Sequence, residues 1–137
     1  MRTVLFDTNI ILDIALKRHL FFEDALELFR LIDRKLIVGA VTASTITDIY
    51  YISKKEKGHT DSINFVKNLI EVIEVIGIDK NVIKQALASD MKDFEDAIQA
   101  SASQANDIEI ILTRNKNDFR NSSLRIATPK EFLMDFQ

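Results

Sequence analysis

Five acidic residues lie where the sequence pattern could bring carboxylates together for chemistry. Asp7 comes directly after the first apolar run, and Asp48 lies about one turn into the helix predicted after the second. Asp93 and Asp96 stand in the first turn of a later helix, and Asp118 follows the fourth apolar run by a short loop. The chain has no Cys and only two His, which excludes thiolate sites and disfavours a His-rich zinc site. Carboxylates are therefore the main candidates for chemistry.

A cluster of such carboxylates favours one type of reaction. Two like charges 4 Å apart repel by roughly 4 kcal/mol at an effective dielectric near 20, so a cluster either takes up protons or holds a cation. Hard oxygen ligands without His or Cys suit Mg²⁺ or Mn²⁺. A cation held in this way lowers the pKa of a bound water and neutralises charge that develops on a phosphodiester. The acids therefore predict metal-dependent phosphoryl chemistry.

The elements that would position these acids are predicted from the apolar pattern. Short β-branched runs predict five buried parallel strands, over residues 3–6, 36–41, 72–78, 108–112 and 124–127. Stretches with helical spacing lie between them, the first capped by Thr8 or Asn9 and the last opened by Thr128 and Pro129. This alternation predicts an α/β fold with helices on both faces of a parallel sheet. Ligands of such sheets bind at the carboxyl ends of the strands.

A purely structural role remains the alternative for each acid taken alone. An Asp after a strand is usually a turn or cap residue, and an acid in the first turn of a helix interacts favourably with its dipole by roughly 0.3–1 kcal/mol. For Asp93 or Glu95 alone this structural role is favoured. Asp96 differs because it lies in an apolar stretch, and Asp7 because it ends a buried strand. The joint pattern supports the functional interpretation.

Length and composition limit what else the chain could be. Its 137 residues predict a single domain over residues 1–137. With 18 basic and 21 acidic residues the formal net charge is −3, which excludes a polybasic protein that binds nucleic acid by charge alone. The sequence shows no targeting segment and no membrane span, so a cytoplasmic location without membrane contact is expected.

Four motifs in order resemble those of the PIN-domain family. They are Asp7-Thr8-Asn9 after the first strand, Thr45-Ile46-Thr47-Asp48, Asp93-Phe94-Glu95-Asp96-Ala97, and the segment from Leu112 to Phe119. That family comprises metal-dependent ribonucleases, many of them toxins of prokaryotic toxin–antitoxin pairs. The resemblance covers essentially the whole chain and implies a three-layer α/β/α sandwich around a central parallel sheet of four to five strands.

The resemblance also implies an activity and a set of site residues. The activity is that of a Mg²⁺- or Mn²⁺-dependent endoribonuclease that hydrolyses RNA, with an antitoxin protein and a second copy of the chain as expected partners. Asp7, Asp48 and Asp96 match the metal-binding acids, and Asp118 completes the catalytic set. The matching supporting residues are Asn9, Asp93, Thr113 and Asn115.

Two departures from the family pattern motivate a second hypothesis. Asp48 stands where the family most often has Glu, and Asn115 where it often has Asp. Asn offers an oxygen ligand without charge. The alternative function is therefore a catalytically weak PIN-like domain that acts as an RNA- or protein-binding module.

Two surface features complete the predictions. Arg114 and Lys116 are candidate contacts for RNA phosphates, with ordinary solvated surface charge as the alternative. The stretch of residues 16–22 is the expected exposed apolar patch for an interface with a partner.

Overall fold

Five short apolar segments form one parallel sheet in the computed structural model, which describes residues 1–136. The strands are β1 (Arg2–Phe6), β2 (Ile37–Thr42), β3 (Glu74–Ile76), β4 (Ile110–Leu112) and β5 (Arg125–Ala127). All five predicted strands are confirmed, and every neighbouring pair is parallel. The last three are shorter than predicted. β3 and β5 lie at the two edges of the sheet, where pairing to one neighbour limits their length.

The order of the strands is β3-β2-β1-β4-β5, so the chain builds outward from β1 and then returns to its other side. The reversal falls between β1 and β4. There the backbone N–H of Asp7 donates a hydrogen bond to the carbonyl oxygen of Leu112 at 2.9 Å. In open sheets of this kind the crevice at the reversal is the usual ligand site.

Helices cover both faces of the sheet. They are α1 (Thr8–Ala15), α2 (Phe22–Asp33), α3 (Ala43–Val72), α4 (Lys80–Ala88), α5 (Phe94–Ala105) and α6 (Pro129–Met134), with a 3₁₀ helix over Lys116–Phe119. Alternate residues of β1 enter different cores, because side chains alternate between the faces of a strand. Val4 and Phe6 pack with α1, α2, α3 and α6, whereas Leu5 packs with α4 and α5. The three-layer α/β/α architecture is therefore confirmed.

The long helix α3 is broken at Gly58, whose φ of 84° lies outside the helical region. Ser53 donates a hydrogen bond to the Ser62 hydroxyl at 3.0 Å, and the Tyr50 hydroxyl lies 2.7 Å from Nδ1 of His59. Each pair is nine residues apart, a separation of about 13 Å along a straight helix. The chain therefore folds back at Gly58, and the helical segments on its two sides pack against each other.

Side chains cap the N-terminal ends of α1 and α6, the helices that follow β1 and β5. The cap of α1 is Asp7, whose carboxylate accepts the N–H of Thr8 at 2.8 Å, so the predicted cap at Thr8 or Asn9 was one or two residues late. The cap of α6 is Thr128, with Pro129 in the first turn as predicted. Glu131 accepts the N–H of Thr128 in return.

Among residues 1–136, no helix has the length and apolar character needed to cross a membrane.

Candidate functional site

Asp7 is the most tightly held acid at the carboxyl edge of the sheet. It is buried, and its Oδ1 accepts the N–H of Thr8 at 2.8 Å and Nε2 of Gln99 at 3.1 Å. Its Oδ2 accepts the hydroxyl of Thr113 at 2.8 Å. A carboxylate offers about four lone-pair sites, so three are used and one remains, on Oδ2. Asp7 can therefore make one further contact as a ligand.

Asp96 faces Asp7 from the first turn of α5. The carboxylate of Asp93 caps this helix by accepting the N–H of Asp96 at 2.9 Å. Burial and then the negative charges of Asp7, Asp93 and Asp118 raise the pKa of Asp96 to about 7. Because the charges of Asp7, Asp93 and Asp118 all act on Asp96, acids from three separate segments of the chain lie near one another, as the sequence predicts.

A cleft of about 230 Å³ opens beside these acids. Asp93, Asp96 and Asp118 line it together with two basic residues, Lys92 and Arg120. The cleft thus combines a concentrated negative charge with cationic groups at its border, a combination suited to a cation and a phosphate backbone.

The loop after β4 connects Asp118 to Asp7. Nδ2 of Asn115 donates to Oδ1 of Asp118 at 3.1 Å, and the backbone N–H of Asn115 donates to the Thr113 hydroxyl at 3.1 Å. The same hydroxyl donates to Asp7. Thr113 and Asn115 therefore link Asp7 to Asp118 by hydrogen bonds, and their supporting role in a site stays a prediction.

Asp48 approaches α5 at Glu95, a residue whose sequence position gave no sign of this contact. The hydrogen bond that it shares with Glu95 is the largest of the effects that raise the pKa of Glu95 well above its usual range. Burial and the charges of Asp48, Asp93 and Asp96 act in the same direction. The position of Glu95 in a helix's first turn favoured a role in the helix dipole. Only the approach of α3 to α5 reveals its pairing with Asp48.

The fit of this site to a divalent cation rests on its donor chemistry. Within residues 1–136, no three His, Asp or Glu side chains stand close enough together to form a ready-made metal site. The donors nevertheless fit Mg²⁺ or Mn²⁺, because the available ligands are hard oxygen atoms. The free lone pair of Asp7 and the raised pKa of Asp96 both indicate a place where positive charge is favourable.

Three buried threonines connect the end of β2 and the start of α3 to the start of α1. The hydroxyls of Thr8 and Thr45 lie 2.8 Å apart, and those of Thr42 and Thr45 lie 3.3 Å apart. These contacts hold the start of α3, the helix that carries Asp48, against the start of α1. Thr8 and Thr45 belong to two different sequence motifs, and only the tertiary structure shows that their hydroxyls are in contact.

The predicted RNA contacts Arg114 and Lys116 both have partners within the protein. Nε of Arg114 lies 2.9 Å from Oδ2 of the buried Asp13, and its guanidinium lies 3.9 Å above the ring of Phe21. Lys116 is exposed and pairs with Glu131 at 3.1 Å. Arg114 therefore uses its charge inside the fold, and a role for either residue in RNA binding stays a prediction.

Asp13 is a further residue that sequence reasoning missed. It is 1% exposed and interrupts the apolar run of α1, which was the available signal. Burial raises its pKa, while the charges of Arg114 and Arg18 act in the opposite direction. Asp13 thus ties α1 to the loop that follows β4.

The expected apolar patch at residues 16–22 is exposed only in part. Leu20 is 78% exposed, whereas Leu16 and Phe22 are half-buried and Arg114 covers the ring of Phe21. The role of this patch as an interface stays a prediction. Asn9 is exposed beside the site and accepts a hydrogen bond from Arg18 at 3.4 Å.

The raised pKa of Asp96 predicts how the stability of the metal-free protein depends on pH. A group with a raised folded-state pKa contributes its full stability below its unfolded value, and that contribution is lost as the pH rises through the folded value. The free energy of unfolding should therefore fall between about pH 4 and pH 7 through Asp96. Urea denaturation in EDTA at several pH values measures this, and Asp96→Asn should fall less steeply. Equal slopes for the two proteins would contradict the prediction.

A known protein family matches this chain in sequence, and solved structures match it in fold. The family model described as the PIN domain matches residues 3–117. At the level of sequence, no curated protein matches the chain.

Solved structures share the fold at low sequence identity. A toxin–antitoxin complex from Klebsiella pneumoniae aligns with a TM-score of 0.71 at 22% identity, covering 92% of this chain and 97% of that one. VapBC2 from Rickettsia felis, bound to a promoter DNA fragment, gives a TM-score of 0.70 at 17% identity over 90% and 96% of the two chains. VapC20 from Mycobacterium tuberculosis, described as a toxin that cleaves the sarcin–ricin loop, gives 0.63 at 15% over 79% and 86%.

Proposed function

The chain belongs to the PIN-domain family, and from that premise we propose that it is a divalent-metal-dependent endoribonuclease that acts as the toxin of a toxin–antitoxin pair. The proposal rests on the proximity of Asp7, Asp96 and Asp118, whose negative charges together form one field at the point where the strand order of the sheet reverses. Such a field makes a cation favourable where the fold also leaves a cleft for a ligand.

The residues divide into those that hold the metal and those that position them. Asp7 and Asp96 are proposed to hold Mg²⁺ or Mn²⁺, with Asp48 as the third ligand and Asp118 completing the catalytic set. When bound, the metal supplies an activated water and neutralises charge that develops on the phosphodiester. Thr113 orients Asp7 by its hydroxyl hydrogen bond.

Basic residues around the acids would bind the substrate. Lys92 and Arg120 border the cleft, where they can contact the phosphates on either side of a scissile bond. Contacts to phosphates position a nucleic acid without reading its sequence. Recognition of a particular RNA therefore has to come from its shape or from its bases.

The comparisons support the biological role. One of the similar structures is described as a toxin–antitoxin complex, and another as a toxin that cleaves the sarcin–ricin loop. We extend these roles to this chain as a proposal, with an antitoxin and a second copy of the chain as partners. The exposed Leu20 beside the half-buried Leu16 is the apolar surface that such a partner would cover.

The metal requirement of RNA cleavage tests the activity. The purified full chain should cleave fluorescently labelled single-stranded RNA in Mg²⁺ or Mn²⁺, lose that activity in EDTA, and regain it when excess Mn²⁺ is returned. Calorimetry should show Mn²⁺ binding to the same sample. Cleavage that persists in EDTA would contradict the metal mechanism. A protein that binds neither Mg²⁺ nor Mn²⁺ would instead support the RNA- or protein-binding module.

A further inference from the structure

Gln99 is a buried polar residue on α5 that contacts the most tightly held acid of the site. It is 1% exposed, and its Nε2 donates to Oδ1 of Asp7 at 3.1 Å across 92 positions of sequence. Its Oε1 is also buried and accepts no hydrogen bond from residues 1–136. The nitrogen of the Gln99 amide therefore makes a hydrogen bond, whereas its oxygen accepts none from the described residues.

The unused oxygen indicates that Gln99 is a poor choice for stability alone. A buried acceptor without a partner costs free energy, and this cost offsets part of what the hydrogen bond from Gln99 to Asp7 contributes to stability. An apolar residue of similar length, such as Met, would fill the same space without leaving an acceptor unpaired. What an apolar residue could not supply is the N–H that reaches Asp7.

The position of Gln99 on its helix explains what this N–H can do. Gln99 follows Asp96 by three residues, so the two side chains lie on the same side of α5, one turn apart. One helix therefore presents both an acid and a donor toward the end of β1. The donor goes to the oxygen of Asp7 that already accepts the N–H of Thr8.

We propose that Gln99 is a positioning residue that orients the carboxylate of Asp7 for a divalent cation. With two donors on Oδ1 and one hydroxyl on Oδ2, the carboxylate cannot rotate without breaking bonds. The free lone pair is thereby kept on Oδ2. Outer-shell partners of this type change metal affinity by about 10- to 100-fold when they are removed. The inference rests on the proposed function, since it assigns Asp7 as a metal ligand.

The variant Gln99→Met separates positioning from packing, because Met keeps the length of the side chain and removes the donor. Calorimetry with Mn²⁺ should show a dissociation constant about 10- to 100-fold higher than that of the wild type. The Mn²⁺ concentration for half-maximal RNA cleavage should rise by the same factor, while the rate at saturating Mn²⁺ returns to the wild-type value. The metal-free variant should remain folded, with a lower free energy of unfolding in urea, because the buried Asp7 carboxylate loses one of its donors.

Ser103→Ala is the matched control on the same helix. Ser103 is buried and donates to the backbone oxygen of Gln99 at 2.8 Å, but its bond serves the helix rather than Asp7. This variant should bind Mn²⁺ as the wild type does. Gln99→Met with unchanged Mn²⁺ affinity, or with loss of the folded state, would overturn the proposal. A wild-type protein that binds no Mn²⁺ would overturn the proposed function and this inference with it.

Discussion

Asp96→Asn is expected to reduce the rate of RNA cleavage by about 100- to 1,000-fold, comparable to the loss of one key electrostatic group in other enzymes. Asp96 lies in the cleft and shares its field with Asp7, Asp93 and Asp118. Asn has nearly the same shape but removes the negative charge, so the site loses most of its attraction for a cation at that position. Cleavage of labelled RNA in saturating Mn²⁺ measures the loss.

The same substitution is expected to stabilise the metal-free protein at pH 8. Burial and the neighbouring carboxylates raise the pKa of Asp96 to about 7, so the ionised group at pH 8 opposes folding. An amide has no charge to lose, and the repulsion disappears. Urea denaturation in EDTA should therefore give a higher free energy of unfolding for Asp96→Asn. A variant that is inactive yet more stable cannot owe its inactivity to misfolding.

Asp107→Asn is the matched control for this prediction. Asp107 is exposed just beyond the other end of α5, and its φ of 58° is one that Asn tolerates well. The change removes the same charge away from the cleft and should leave cleavage at the wild-type rate. Equal cleavage by Asp96→Asn and Asp107→Asn would contradict the assignment of Asp96 to the site.

Arg114→Met is expected to lower the free energy of unfolding by about 3 kcal/mol, the usual loss when one partner of a buried ion pair is removed. The side chain of Asp13 is 2% exposed, and Arg114 is its nearer partner at 2.9 Å. Arg18 lies farther away at 3.6 Å and would be the remaining cation. Met retains the contact with the ring of Phe21, so most of the loss would come from the uncompensated carboxylate.

Two comparisons test this explanation for Arg114. The double variant Arg114→Met with Asp13→Asn removes both charges and should be more stable than Arg114→Met alone. Lys116→Met breaks an exposed pair with Glu131 and should change stability little, since water screens such pairs. Chemical denaturation measures all three variants. A loss in Arg114→Met as small as that in Lys116→Met would contradict a structural role for the buried pair.

The strands were predictable because a strand buried in a parallel sheet is a nearly continuous run of apolar, often β-branched residues. Each β-branched run has a strand at its place, and β1 pairs on both sides as a central strand should. The ends of elements were less predictable, because they depend on local contacts. Asp7 caps α1 in place of Thr8 or Asn9, and the fold-back of α3 depends on the backbone of Gly58.

The proximity of several acids at this edge of the sheet was predictable, but the partner of each acid was not. The carboxyl ends of parallel strands meet at one edge, so Asp7 and Asp118 were expected near each other from topology alone. The pairing of Glu95 with Asp48, and the hydrogen bond of Gln99 to Asp7, join residues from distant segments. No periodicity within a single segment carries information about such contacts.

The sequence by itself determined which residue types are available for chemistry, and it determined the order of strands and helices that brings acids to one edge of a sheet. Only the tertiary structure decided the rest. It raised the pKa of Asp96, left one lone pair of Asp7 free, and gave Arg114 a buried partner in Asp13. The physical reason is that protonation and hydrogen bonding depend on burial and on distances through space, whereas a pattern along the chain encodes mainly local conformation and the side that faces the core.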